Sequence, residues 1–153
     1  MNIHRLMMTA ALVVTTLEAG AAQAQVDVFL KLDAVLGESA DAAHKGQMRV
    51  TSYAFGAKAP DGTASVGTSV GKASFSRLDL VRFVDRASPV LLLAAARGQH
   101  FKQATLSVQK VGGASPQDFI RITLTDVVVT SVQVAGHASE VPVEQVSLAY
   151  ARI

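Results

Sequence analysis

The segment Gly71–Gly113, GKASFSRLDLVRFVDRASPVLLLAAARGQHFKQATLSVQKVGG, changes periodicity twice within one stretch. Lys72–Val84 reads as a strand. Val90–Ala96 is a Leu/Ala/Val run of high helix propensity. Ala104, Leu106 and Val108 then alternate with Thr105, Ser107 and Gln109, the period-two pattern of a half-buried strand. The helix is marked at both ends. Ser88 suits the N-cap, and Pro89 suits the first helical position, where its missing N–H costs nothing. Arg97 lies in the last turn, where a cation favours the helix dipole, and Gly98 fits the left-handed residue that follows. The pattern predicts a short helix over Pro89–Ala96. Because it is apolar nearly all round, the expectation is a deeply buried helix or one that plugs a barrel end, with Leu92 in an apolar site.

Elsewhere strand signals dominate. Val26–Leu32 is a short apolar strand, and Gly37–Gly46 is a polar loop. Gln47–Phe55 alternates and reads as one strand. Gly56–Gly71 carries Gly, Pro60 and small polar residues with almost nothing to bury, so it reads as a long loop, either a contact loop or a flexible insertion. Phe119–Val134 is a long β-branched stretch. Ile120, Ile122, Leu124, Val128, Val132 and Val134 share one phase, broken at Asp126 and Thr130, which predicts a bulge near Asp126 or a bend between two sheets. Val146, Leu148 and Tyr150 close the chain on a last alternating strand. Evenly spaced short strands with one helix imply an antiparallel barrel or sandwich.

The chain has 153 residues, enough for one domain with a real core. Charged residues make up only 17%, against 50% hydrophobic, which argues against disorder. The net charge of +2 is scattered, and aromatics are 5%, so neither a basic face nor a stacking platform for nucleic acid is in view. No cysteine is present, which excludes disulfides and thiol chemistry. Gly67–Lys72 resembles a phosphate loop but is one residue short between its glycines, and Ala73 stands where a hydroxyl should bind magnesium. His44, His100 and His137 show no metal-ligand spacing, and there is no G-x-S-x-G elbow. The sequence assigns no catalytic, cofactor-binding or metal-ligating residue and points away from an enzyme.

Residues 1–24 read as a cleavable secretory signal peptide. His4 and Arg5 form the positive end, and Leu6–Leu17 is an apolar run broken only by threonines. Ala22-Gln23-Ala24 is the small-x-small cleavage site. The run is too short to anchor stably in a bilayer. Cleavage would leave a domain over 25–153; the alternative is a leader that is never translated.

Four blocks in order, VDVFLKLDAVLGES (26–39), HKGQMRVTSYAFG (44–56), GKASFSRLDLVRFVDRASPVLLLAAARGQHF (71–101) and EQVSLAYARI (144–153), resemble the haemolysin co-regulated protein (Hcp) family. The resemblance implies a mainly β fold, a small antiparallel β-barrel of two sheets with one short α-helix. It implies a structural subunit of the type VI secretion tube, in which hexameric rings of one chain stack and small effectors travel in the lumen. The implied partners are further copies of itself, a spike protein, a contractile sheath and small effector proteins, with no nucleic acid and no stable membrane insertion. Tyr53, Ala54 and Phe55 correspond to the family's W-S-W block and become lumen-facing candidates, with Ala54 in place of the serine. Pro60, Asp61, Gly62, Gly67 and Gly71 lie in the family's extended loop and become ring-stacking candidates. Many members run on beyond the strand that ends this chain, so barrel closure or ring contacts are expected to differ. Family members usually lack a cleavable leader. The leader here therefore leaves two destinations open: export to the periplasm, or release to the medium by type VI secretion. It also leaves open an exported binding or adhesion module that builds no sheathed tube.

Overall fold

The structure is a computed structural model, and it describes residues 25–59, 73–111 and 117–153. The expected leader over 1–24 and the loop candidates Pro60, Asp61, Gly62, Gly67 and Gly71 lie outside the described residues.

Along the chain run β1 (Val26–Leu32), β2 (Met48–Val50), β3 (Ser52–Ala54), β4 (Ala57–Lys58), β5 (Ser74–Phe75), β6 (Leu78–Phe83), α1 (Ser88–Arg97), β7 (His100–Lys110), β8 (Gln117–Ala135) and β9 (Val143–Arg152). Seven strands form one antiparallel sheet in the order β2-β1-β7-β8-β9-β6-β3, and β4 pairs with β5 in a second, two-stranded sheet. The first and last strands of the large sheet, β2 and β3, are separated by Thr51 alone. The sheet therefore rolls until its two edges meet along one piece of chain, although no ladder joins β2 to β3. The Thr51 N–H instead donates to the Val81 carbonyl at 2.8 Å, which extends the β3–β6 edge.

The single strand expected over Gln47–Phe55 is thus two strands on opposite edges. The strand expected over Lys72–Val84 likewise divides, at Ser76–Arg77, between the two sheets. Alternation survives a short break, so periodicity cannot reveal that a strand has changed sheet.

The core is filled from the inner phase of each strand: Leu30 and Leu32, Met48, Leu78 and Leu80, Leu106, Leu124, Val146 and Leu148 are all essentially inaccessible. Strand β8 departs from the phase expected for it. Leu124 faces inward, but Val127 and Val129 follow it inward, while Val128 is only half-buried and Val134 is exposed. Asp126 adopts a left-handed φ of 54°, a conformation a short polar side chain tolerates. The ladder to β7 keeps its register across this bend, from Gln103↔Thr125 to Phe101↔Val127. The register instead shifts earlier, where Val108↔Ile120 gives way to Gln109↔Asp118 against β7, and later, between Val129 and Ser131 against β9, after which Val132 packs on the core.

Helix α1 covers the rolled sheet, packing chiefly against β8. It is not the buried plug its composition suggests. Ser88, Leu91 and Ala94 are buried, whereas Val90, Leu92 and Leu93 are 43%, 54% and 47% exposed. A helix lying on one layer of strands can bury only one stripe, so a charge at Leu92 would meet solvent. Capping differs as well. Ser88 is the first helical residue, preceded by Ala87, and makes no side-chain cap. Its Oγ accepts from the Asp85 N–H at 3.0 Å, while Asp85 Oδ1 accepts from the Ala87 N–H at 2.7 Å. At the other end Gly98 has φ 60°. The N–H groups of Gly98 and Gln99 return to the carbonyls of Ala95 and Ala94, closing the helix as its sequence implied.

Candidate assembly surface

The tripeptide Tyr53-Ala54-Phe55 sits on the β3 edge, paired on one side only, to β6. Alternation splits it. The Tyr53 ring is half-buried against the core, while Ala54 is exposed and Phe55 is 41% exposed. Just beyond, the chain is clasped at Ser76. The Gly56 N–H donates to Ser76 Oγ at 2.7 Å, the Ser76 N–H donates to the Gly56 carbonyl at 2.8 Å, and the Tyr150 hydroxyl donates to the Ser76 carbonyl at 2.9 Å. This clasp holds the β4–β5 pair, Ala57↔Phe75 and Lys58↔Ser74, as a stub at the margin of the large sheet. Phe75 on it is 53% exposed. In sequence, the glycine-rich segment joins the two strands of this stub. A cleft of about 550 Å³ opens beside it, lined by Phe75, Ser76 and Arg77 and by the end of β9 from Ala149 to Ile153.

Two polar clusters lie inside the subunit. In the first, His44 from the Gly37–Gly46 loop is 4% exposed and stacks on Phe29 of β1, with ring centroids 4.3 Å apart. Its Nε2 lies 2.8 Å from Asp118 Oδ1 and its Nδ1 3.3 Å from Gln47 Oε1. Asp118 also accepts from Arg121 at 2.8 Å. Burial pushes the Asp118 carboxyl up, but hydrogen bonds from Arg121 and His44, the His44 charge and a hydrogen bond from Ser107 together leave it below the ordinary carboxylate value. Gly37 lets the loop cross here, because a Cβ would collide with the Gln47 carbonyl.

In the second cluster, Arg82 of β6 lies directly opposite Glu144 of β9. Both are inaccessible, at 0% and 1%, with Nη1 3.1 Å from Oε1. Arg82 also pairs with Asp85. All three guanidinium nitrogens and both Glu144 oxygens lack an aligned hydrogen bond. Burial pushes the Glu144 carboxyl above its ordinary value; the Arg82 charge and the Ser88 hydroxyl draw it back only in part, and Asp85 adds to the rise. Sequence reasoning missed this cluster, although a signal for it exists. Arg82 shares its phase with Leu78 and Leu80, and Glu144 shares its phase with Val146 and Leu148.

Neither cluster has the layout of an acid–base site. Both ring nitrogens of His44 already face partners, and Ser107 bonds Asp118 rather than the imidazole, so no nucleophile is activated. His100 and Asp126, 2.7 Å apart, are both solvent-exposed. Among the described residues no group of three His, Asp or Glu side chains is placed to hold a metal ion, and no helix is long and apolar enough to cross a membrane.

A rolled but unclosed antiparallel sheet under one helix, with ionic groups locked into packing and apolar residues at its open edge, defines a mainly β subunit built around one rolled sheet. Residues 29–153 match the family described as "Type VI secretion system effector, Hcp", and the chain belongs to this Hcp family of type VI secretion tube proteins. It is 32% identical over 130 residues to protein hcp1 of Pseudomonas aeruginosa, covering 84% of this chain and 80% of that protein. The crystal structure of Hcp1 from Salmonella typhimurium is 34% identical with a TM-score of 0.70, covering 82% and 81% of the two chains. A type VI secretion system effector from Yersinia pestis is 30% identical with a TM-score of 0.66, covering 81% and 84%.

Proposed function

We propose that this chain closes into six-membered rings, that the rings stack into a tube, and that the subunit works through its surfaces rather than by catalysing a reaction. Family membership across residues 29–153 carries the reading. Two features of the subunit support it. The β2 and β3 edges keep unpaired backbone that assembly would cover, and the clasp at Ser76 brackets, in sequence, a loop with almost no apolar side chains. Such a loop adds nothing to its own subunit's core, so contacts with another copy would have to offset its ordering entropy. On this reading Pro60, Asp61, Gly62, Gly67 and Gly71 serve ring stacking. Ala54 and Phe55 are the lumen candidates with free surface, and Tyr53 supports them from behind. A spike protein, a contractile sheath and small effectors are the partners, and the tube route takes the protein to the medium.

The test uses residues 25–153 in negative-stain microscopy and light scattering. Six-membered rings are expected, and a monomer at high concentration overturns the reading. Shortening the loop between Lys58 and Ala73 is expected to leave the melting temperature nearly unchanged, because closure entropy varies slowly with length, while abolishing ring-on-ring association. A shortened form that still stacks makes the loop a plain insertion.

The apolar run before Ala22-Gln23-Ala24 favours a second reading, an exported binding module that leaves through the signal peptide and builds no sheathed tube. N-terminal sequencing of protein from its native host separates the routes. A start at Gln25 supports the leader, and a start at Met1 removes it.

A further inference from the structure

Arg82, Asp85 and Glu144 enclose one cation between two carboxylates beneath the first turn of α1, at the end of the barrel where water does not reach Arg82 or Glu144. One guanidinium cannot neutralise two ionised carboxylates, and a net negative charge in that space is costly. Asp85 is the carboxylate with a backbone donor and some access to water. It is the more accessible of the two, at 12%, and its Oδ1 also takes the Ala87 N–H. Glu144 is left with no aligned donor on either oxygen. The surroundings of Glu144 are otherwise uncharged. Strand β8 faces it in register with Val134, and α1 offers only the Ser88 hydroxyl.

We propose that the Glu144 carboxyl holds a proton in the native fold, and that releasing it loosens the seating of helix α1, which makes the cluster a proton latch. The upward push that burial gives this carboxyl agrees with the geometry. The link to the helix is short. Asp85 bonds the Ala87 N–H, the Asp85 N–H bonds Ser88 Oγ, and Ala87 accepts the first helical hydrogen bond from Leu91 at 2.9 Å. A second negative charge beside Arg82 competes with Asp85 for the guanidinium and so acts on the residue that starts the helix. The sign follows from linkage. A carboxyl whose folded-state pKa is raised gives stability that is full below its unfolded-state pKa and is lost as pH rises through the folded-state value. What the latch governs is the surface α1 presents, with Val90, Leu92 and Leu93 on its outer side.

The experiment compares the folded chain 25–153 with Glu144→Gln, whose amide mimics the protonated carboxyl. Melting temperatures of both are measured across the acid-to-neutral range. The variant is expected to gain on the wild type steadily as pH rises, and amide exchange at Ala87–Leu91, normalised to β7 amides, is expected to lose its excess pH dependence. A variant that falls further behind as pH rises, or a difference that is flat in pH, overturns the proposal. Should the variant not fold, side-chain carboxyl NMR on wild type labelled at glutamate reads Glu144 directly. A titration above that of the exposed Glu140 supports the latch, and one at or below it overturns the latch.

Discussion

Asp118 and Glu144 sit near opposite ends of the same long strand, Asp118 at the start of β8 and Glu144 paired with Val134 near its close. Each sits beside a cation, Asp118 half-buried and Glu144 fully buried, yet their carboxyls move in opposite directions, down for Asp118 and up for Glu144. The cation alone does not set the sign. Asp118 collects hydrogen bonds from Arg121, His44 and Ser107, and the Arg121 side chain keeps 65% of its surface in water. Glu144 faces a fully buried arginine that it must share with Asp85, and it has no aligned donor. A buried carboxylate is stabilised by the donors it does not share, and a shared ion pair without them leaves the desolvation cost standing.

The largest effect is expected at the shared cation. Arg82→Met removes the cation shared by the buried Glu144 and the half-buried Asp85 and is expected to cost about 3–5 kcal/mol in denaturant unfolding. Adding Glu144→Gln to it is expected to recover part of that loss, because the remaining carboxylate, Asp85, has some access to water. If the double variant is no better than the single one, Glu144 was not a liability and the contrast between the two ends fails.

The sequence held much of the fold and little of this contrast. The limits of β1, the Gly98 stop of α1 and the burial of Ala104, Leu106 and Val108 follow from local pattern, but β7 is not half-buried as its alternation suggests, because Ser107 and Gln109 on the other phase are buried as well. What it misstated depends on tertiary placement. The inner face of α1 is narrow because strands lie on one side of it only, and Leu92 therefore looks outward. The irregularity expected near Asp126 is present, but it turns the β8 phase, so that Val127 and Val129 rather than Val128 face inward. Arg82 and Glu144 each share the inward phase of their strands, but only their opposition across β6 and β9, which is tertiary, makes them a buried pair. The lumen assignment of Tyr53, Ala54 and Phe55 rested on family resemblance, because a lumen belongs to a ring of subunits. The half-burial of the Tyr53 ring follows from the alternation of β3.

A smaller loss is expected at the well-donated end. Asp118→Asn keeps the shape but removes a charge that accepts from His44 and Arg121, and it should cost about 1–3 kcal/mol. The loss should appear as faster amide exchange in the Gly37–Gly46 loop, which His44 ties to the sheet. A loss confined to α1 instead would mean that the two clusters are coupled through β8.

Acid should remove the same contribution, because a protonated Asp118 no longer offers a charge to His44 and Arg121. The Asp118 carboxyl is depressed in the fold, so its contribution is present above the unfolded-state value and is lost as pH falls through the folded-state one. Thermal unfolding below the ordinary carboxylate range should therefore show the wild type converging on Asp118→Asn. The pH trend is opposite in sign to that expected for Glu144, and equal trends at both carboxylates would break the comparison.

The smallest effect is expected at Arg121, and it sharpens the comparison most directly with Arg82. Both arginines pair with a carboxylate, but Arg121 keeps 65% of its side chain exposed and Arg82 none. An exposed guanidinium is hydrated in the unfolded and folded states alike, loses side-chain freedom when it pairs, and is screened by salt. Arg121→Gln should therefore cost about 1 kcal/mol or less, and the cost should shrink further at high ionic strength. Asp118 would keep His44 and Ser107, so its carboxyl should rise toward the ordinary value without the loop detaching. A loss as large as that of Arg82→Met, or one indifferent to salt, would show that Arg121 is a structural cation like Arg82 and that exposure does not separate the two ends.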